Sequence, residues 1–72
     1  MNLYNIKFNE EVIILTIDET IGERIYDLGI TPGTKIKCVL ESSNKDLKAY
    51  LFKGTVIALR KEISSKIKVE KQ

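Results

Sequence analysis

The sequence contains no histidine and no tryptophan, and only one cysteine, one proline and one methionine among 72 residues. Each scarcity excludes something. Without histidine the chain lacks the side chain best suited to general acid and base work near neutral pH. A lone Cys38 cannot form an internal disulfide, which agrees with a reducing compartment. No apolar run approaches the roughly 20 residues that a helix needs to cross a bilayer. The longest runs, such as Val12 to Leu15 after Glu10 and Glu11, are strand-sized. Met1 to Phe8 lacks the basic start and long apolar stretch of a secretory signal, so a cytoplasmic protein is expected.

What is present fits a small folded domain. Hydrophobic residues make up 43% of the chain and charged residues 31%, too apolar a balance for disorder. A chain of this length buries only about 60% of the surface its unfolded form exposes. One domain over residues 1–72, of modest stability, is therefore expected; no linker, repeat or low-complexity tract divides it. The net charge of +2 is unevenly placed: residues 1–36 carry three bases against six acids, residues 37–72 nine bases against four acids. The later lysines alternate along strand-like segments and are broken by Glu41, Asp46, Glu62 and Glu70. That pattern reads as a solubilising outer face; a basic nucleic-acid-binding barrel is the weaker alternative, and no nucleic acid is expected.

Periodicity gives an element order. Val12 to Ile17 is a β-branched, nearly continuous apolar strand, a pattern that predicts burial on both faces. Thr20 and Glu23 have capping-box spacing, and Ile21, Ile25 and Leu28 recur at helical intervals, predicting a two-turn helix that covers the fold with those three residues. Gly29 stands where a helix closes in the left-handed conformation, with Ile30 as the apolar residue that packs back. Thr31-Pro32-Gly33-Thr34 has the residues of a type II turn. Ile36, Cys38 and Leu40 then point one way, Lys35, Lys37 and Glu41 the other. After the polar loop 41–46, Leu47, Ala49 and Leu51 are expected inward, with Lys48, Tyr50 and Phe52 opposite them. Lys53-Gly54 makes a tight hairpin. In the return strand, Thr55 to Arg60, Ile57 and Leu59 share a face. Lys61 to Lys66 allows one helical turn anchored by Ile63, and Ile67-Lys68-Val69 closes as a short strand. About five short strands, one helix after the first and a helical turn before the last favour a small, closed, SH3-like β-barrel that hides its own edges.

The run Leu28-Gly29-Ile30-Thr31-Pro32-Gly33-Thr34 resembles the FeoA family, whose helix ends in a Leu-Gly-hydrophobic-x-Pro-Gly turn into a strand. Gly54, the run Val56-Ile57-Ala58-Leu59-Arg60 and the closing Ile67-Lys68-Val69 resemble the family's later motifs, so the likeness spans about Leu3 to Glu70. Asn9-Glu10 stands where the family usually has a Gly-containing turn, and the 41–46 loop lacks its usual Gly-Asp-Pro-like motif. The same fold occurs in metal-dependent repressors resembling DtxR, but this chain shows no DNA-binding helix pair. The resemblance implies a small cytoplasmic component of bacterial ferrous iron uptake that binds or modulates the membrane transporter FeoB, which carries a GTPase domain. Contact with the membrane is then expected only through that partner, with weak self-association an open alternative.

No catalytic constellation is visible. Ser42, Ser43, Ser64 and Ser65 have no activating partner, and Cys38 is expected as a buried apolar group. Gly29 to Gly33 is not followed by the Lys-Ser/Thr of a phosphate loop. The acids Asp18, Glu19, Glu23 and Asp27 form the one cluster that could attract a metal ion. Acids near a helix N-terminus are explained by its dipole, so no metal ligand and no cofactor are assigned. A transition-metal-binding regulator or carrier stays the alternative to a protein-docking module. Tyr26, Ile30, Pro32, Tyr50 and Phe52 are expected to contribute to the docking patch, with closure of a second minicore the competing role for the same aromatics.

Overall fold

A computed structural model describes residues 1–72. A 3-10 turn over Leu3–Asn5 precedes β1 (Glu11–Ile17), α1 (Glu19–Asp27), β2 (Lys35–Glu41), β3 (Leu47–Phe52), β4 (Thr55–Arg60), α2 (Lys61–Ser64) and β5 (Ile67–Lys71). The strands form one antiparallel sheet in the order β4-β3-β2-β1-β5. The predicted barrel does not close, because β4 and β5 are the two ends of this sheet and do not pair. The N-terminal segment and α2 lie along the seam in place of a closing ladder. Val69 N–H donates to the Met1 carbonyl at 2.8 Å and Asn2 bridges to Lys68, so the N-terminus covers the β5 edge. The curled sheet is a small SH3-like β fold.

The turns take the conformations that their residues dictate. Asp18 caps α1, accepting at Oδ1 from Thr20 N–H at 2.8 Å and from the Thr20 hydroxyl at 2.6 Å. Thr20 is thus the donor and not the cap, and the helix starts earlier than the capping-box spacing suggests. At its other end, Gly29 N–H donates to the Tyr26 carbonyl and Ile30 N–H to the Ile25 carbonyl, the two bonds of a Schellman motif. Gly29 supplies the required positive φ of 93°. Gly33, at φ 94°, completes the type II turn, closed by Thr34 N–H on the Thr31 carbonyl at 3.0 Å. Asn9, at φ 68°, supplies the left-handed residue of the turn before β1.

Burial follows the sheet's inner face. Val12, Ile14, Ile36, Cys38, Ile67 and Val69 meet Ile21, Ile25 and Ile30 from the helix side, with Leu3 and Ile6 from the N-terminus. Three phase expectations are corrected. β1 is buried on one face only: Leu15 is 45% exposed, and the ladder to β5 slips between Ile14 and Thr16. A second slip between Cys38 and Leu40 turns Leu40 outward, 63% exposed. In α1, Leu28 is exposed, and Ile30, carried back by the Schellman turn, fills the buried place.

β3 shows the largest departure, since its inner face is Lys48, Tyr50 and Phe52, not Leu47 and Leu51. The cause is Lys48. Its Nζ donates to the Tyr4 carbonyl at 2.6 Å and the Ile6 carbonyl at 3.1 Å, lies 3.5 Å from Glu41 Oε1 and sits over the Tyr4 ring. A lysine can occupy an inner position when backbone acceptors meet its head group.

Candidate functional site

The corrected phase of β3 exposes a surface. Cross-strand register aligns Leu40 with Ala49 and Ala49 with Ala58 in one outward row. The next row runs from Lys37 through Leu51 to Val56, and Leu47 stands opposite Arg60. Leu40, Leu47 and Val56 are large apolar side chains left exposed, Val56 by 57%. Between them Ala58 is exposed, while Ala49 is buried beneath its larger neighbours. Outside β2, β3 and β4 there is therefore a nearly continuous apolar strip, whereas the outer face of β1 and its neighbours presents Glu11, Lys35, Lys37 and Glu70 in cross-strand register.

The five residues expected in the docking patch separate. Ile30, Tyr50 and Phe52 are buried in the core and leave the surface. Tyr50 donates its hydroxyl to the Leu3 carbonyl at 3.4 Å, so it holds the N-terminal turn, and burial pushes its pKa up to about 12. Tyr26 and Pro32 remain exposed at the corner where α1 passes into β2. The Tyr26 ring lies over Gly22, one helical turn earlier, where an added Cβ would meet it at 3.4 Å. Phe52 packs beneath this corner, its ring 3.8 Å from where a Gly29 Cβ would stand. Strict alternation assigns Leu40, Leu47 and Leu51 to the core, which is why sequence reading missed them; Val56 falls on the outer face of β4 by alternation but carries no sign of a docking role. The available signal was Tyr50: a hydroxyl-bearing aromatic can be buried when its O–H finds a carbonyl.

Chemistry is sparse. Cys38 is fully buried; desolvation raises its thiol pKa, and Sγ lies 3.8 Å from the Leu40 carbonyl. Hydrogen bonds from Thr20 hold the Asp18 carboxyl below the usual range. No group of three or more Cys, Asp and Glu side chains converges as a metal site would require. A cleft of about 250 Å³ at the end of β1 is lined by Thr16, Ile17, Asp18, Ser65, Lys66 and Lys68, and its one carboxylate is the helix cap. No helix is long and apolar enough to cross a membrane.

The fold has close relatives among solved structures. A FeoA-like protein from Clostridium acetobutylicum superposes with a TM-score of 0.90 at 26% identity, over 99% of this chain and 85% of the other. An iron uptake regulatory protein, FeoA, aligns over 100% of this chain and 96% of its own length, with a TM-score of 0.86 and 21% identity. A manganese-dependent transcriptional repressor shares the fold with a TM-score of 0.90 at 9% identity, this chain spanning 41% of it. No curated protein matches the sequence. The model of the FeoA domain matches residues 1–71. With the Leu28 to Thr34 corner, the five-stranded sheet and a match over nearly every residue, the chain belongs to the FeoA domain family, small accessory proteins tied to ferrous iron transport.

Proposed function

We propose that this protein is a cytoplasmic accessory factor of ferrous iron uptake that docks onto a FeoB-type membrane transporter carrying a GTPase domain, and that it catalyses nothing itself. Residues 1–72 act as one docking unit and reach the membrane only through that partner. The observation that supports this reading is the outer surface of β2, β3 and β4, where exposed Leu40 and Val56 stand in two adjacent cross-strand rows with half-buried Leu51 between them. Neighbouring exposed apolar side chains cost solubility, and burial against a partner recovers about 25 cal/mol per Å² of apolar area before the costs of association. The exposed pair Tyr26 and Pro32 forms a second anchor on a rigid turn. Family membership supplies the iron-transport setting.

The test is binding of the purified protein to the detergent-solubilised transporter. Leu40→Ser and Val56→Ser should each weaken binding by about tenfold, the effect of losing roughly 1.4 kcal/mol at an interface. Pro32→Ala should weaken it less. Undiminished binding by a folded Leu40→Ser/Val56→Ser double variant removes the strip from the proposal. Absence of binding by the wild-type chain removes the docking function itself.

A further inference from the structure

We propose that the cleft at the end of β1 is a site for a phosphate group, either free phosphate or a phosphomonoester, held by Thr16, Ser65, Lys66 and Lys68. The site is built on β1 and β5, not on β2, β3 and β4, so it stands independently of the docking reading.

Strand register assembles it. In the ladder between β1 and β5, Thr16 stands opposite Lys68 and Ile17 opposite Ile67. One step further, Asp18 N–H donates to the Lys66 carbonyl at 3.0 Å, which carries the pairing to the start of α1. Side chains two residues apart share a face of a strand. Ile67 is turned into the core with Ile17 packed against it, so Thr16, Asp18, Lys66 and Lys68 emerge together on the opposite face. All four are exposed and line the cleft of about 250 Å³, which Ser65 borders from the turn after α2.

Charge in this cleft is unbalanced. Lys66 and Lys68 are about 7 Å apart by the rise of two extended residues, and neither takes part in an ion pair within the chain. Like charges at that spacing repel. Asp18 is the one carboxylate of the lining, and its Oδ1 already accepts from the amide and the hydroxyl of Thr20. Glu70, the next residue on that face of β5, stands opposite Ile13 and outside the lining. A net positive charge remains.

Hydrogen bonding selects the ligand. The hydroxyls that bond within the protein are those of Thr20, Thr31, Thr34, Ser42 and Ser64, which leaves Thr16 and Ser65 free beside the two ammonium groups. A phosphomonoester brings three strong acceptor oxygens and a charge of roughly −1.5 to −2 at neutral pH, and so suits four donors around a positive surplus. A carboxylate has fewer acceptors and half the charge. Lysine binds phosphate as a point charge and needs no fork geometry. Since the donors are exposed, the cleft opens outward and has room for the group that carries the phosphate. The same exposure makes binding weak, with half-saturation expected between about 1 and 10 mM.

Amide NMR of the full chain, titrated with potassium phosphate against potassium chloride at matched ionic strength and neutral pH, tests the site. The expected result is saturable shifts confined to Thr16, Ser65, Lys66, Lys68 and their neighbours, half-complete between about 1 and 10 mM phosphate, with no such response to chloride. Lys66→Gln and Lys68→Gln should each raise the midpoint about two- to fivefold and together remove saturation, whereas Lys53→Gln, beside the opposite edge of the sheet, should change nothing. These side chains are exposed, so each variant should keep the amide spectrum of the fold. A parallel titration with phosphoserine identifies the source: a midpoint below that of phosphate assigns the cleft to phosphomonoesters, an equal or higher one to free phosphate. Shifts that fail to saturate by about 50 mM phosphate overturn the proposal. So do shifts that chloride reproduces, or that persist in the Lys66→Gln/Lys68→Gln double variant.

Discussion

The two edges of the sheet are treated in opposite ways. At β5 the chain's own N-terminus supplies the missing neighbour: Val69 donates to Met1, Asn2 bridges to Lys68, and Leu3 and Ile6 are buried behind them. That segment is held from a distance by β3, through Lys48 on the Tyr4 and Ile6 carbonyls and Tyr50 on the Leu3 carbonyl. At β4 the short helix α2 packs against the strand, but no backbone bond outside the regular elements reaches Val56 or Ala58, and the surface carrying Leu40, Leu51 and Val56 begins beside it. An exposed edge costs a small protein solubility. The proposed docking surface lies on the side of the sheet whose edge is not sealed.

The sharpest way to break the contrast is to remove the seal. Leu3→Ala deletes a fully buried side chain and should cost about 2–5 kcal/mol in denaturant unfolding, with faster exchange of the Val69 amide. Next is alkaline pH. Tyr50 ionises near 12 when folded and near 10 when unfolded, so its contribution is complete below pH 10 and is lost as pH rises towards 12. The loss amounts to about 2–3 kcal/mol. Tyr50→Phe should flatten that part of the stability profile relative to wild type while costing about 0.5–1.5 kcal/mol near neutrality. Lys48→Met keeps the stem and leaves two carbonyls without their donor, a loss of about 1–3 kcal/mol by thermal or chemical unfolding. The smallest effect belongs to the bare side: Val56→Ser should change stability by no more than about 0.5 kcal/mol while weakening binding to the transporter.

Local turn chemistry was legible in the sequence because it depends on residues that admit few backbone conformations. Gly29, Pro32-Gly33 and Lys53-Gly54 were all placed correctly. The phase of β3 was not, because alternation treats a lysine as an outward residue, and Lys48 is turned inward by carbonyls more than forty positions away in the chain. That inversion moved Tyr50 and Phe52 from the expected docking patch into the core and turned Leu51, half-buried, to the outer face. The bulge after Cys38 leaves no local signature, so alternation puts Leu40 on the wrong face, and the near-continuous apolar run of β1 reads as buried on both faces although Leu15 is exposed. The expected closure of the barrel failed for a similar reason. The N-terminal segment fills the seam through bonds to β3 and β5 that no short-range pattern announces. Family membership was readable from the Leu28 to Thr34 corner, since that motif is written in glycine and proline.

Amide hydrogen exchange on dilute, monomeric protein compares the two edges directly. Val56 and Ala58 should exchange close to the rate of an unstructured chain, while Val69, bonded to Met1 across the seal, should be protected. Comparable protection at all three amides, or rapid exchange at Val69 in the folded protein, would contradict the division into a closed edge and an open one.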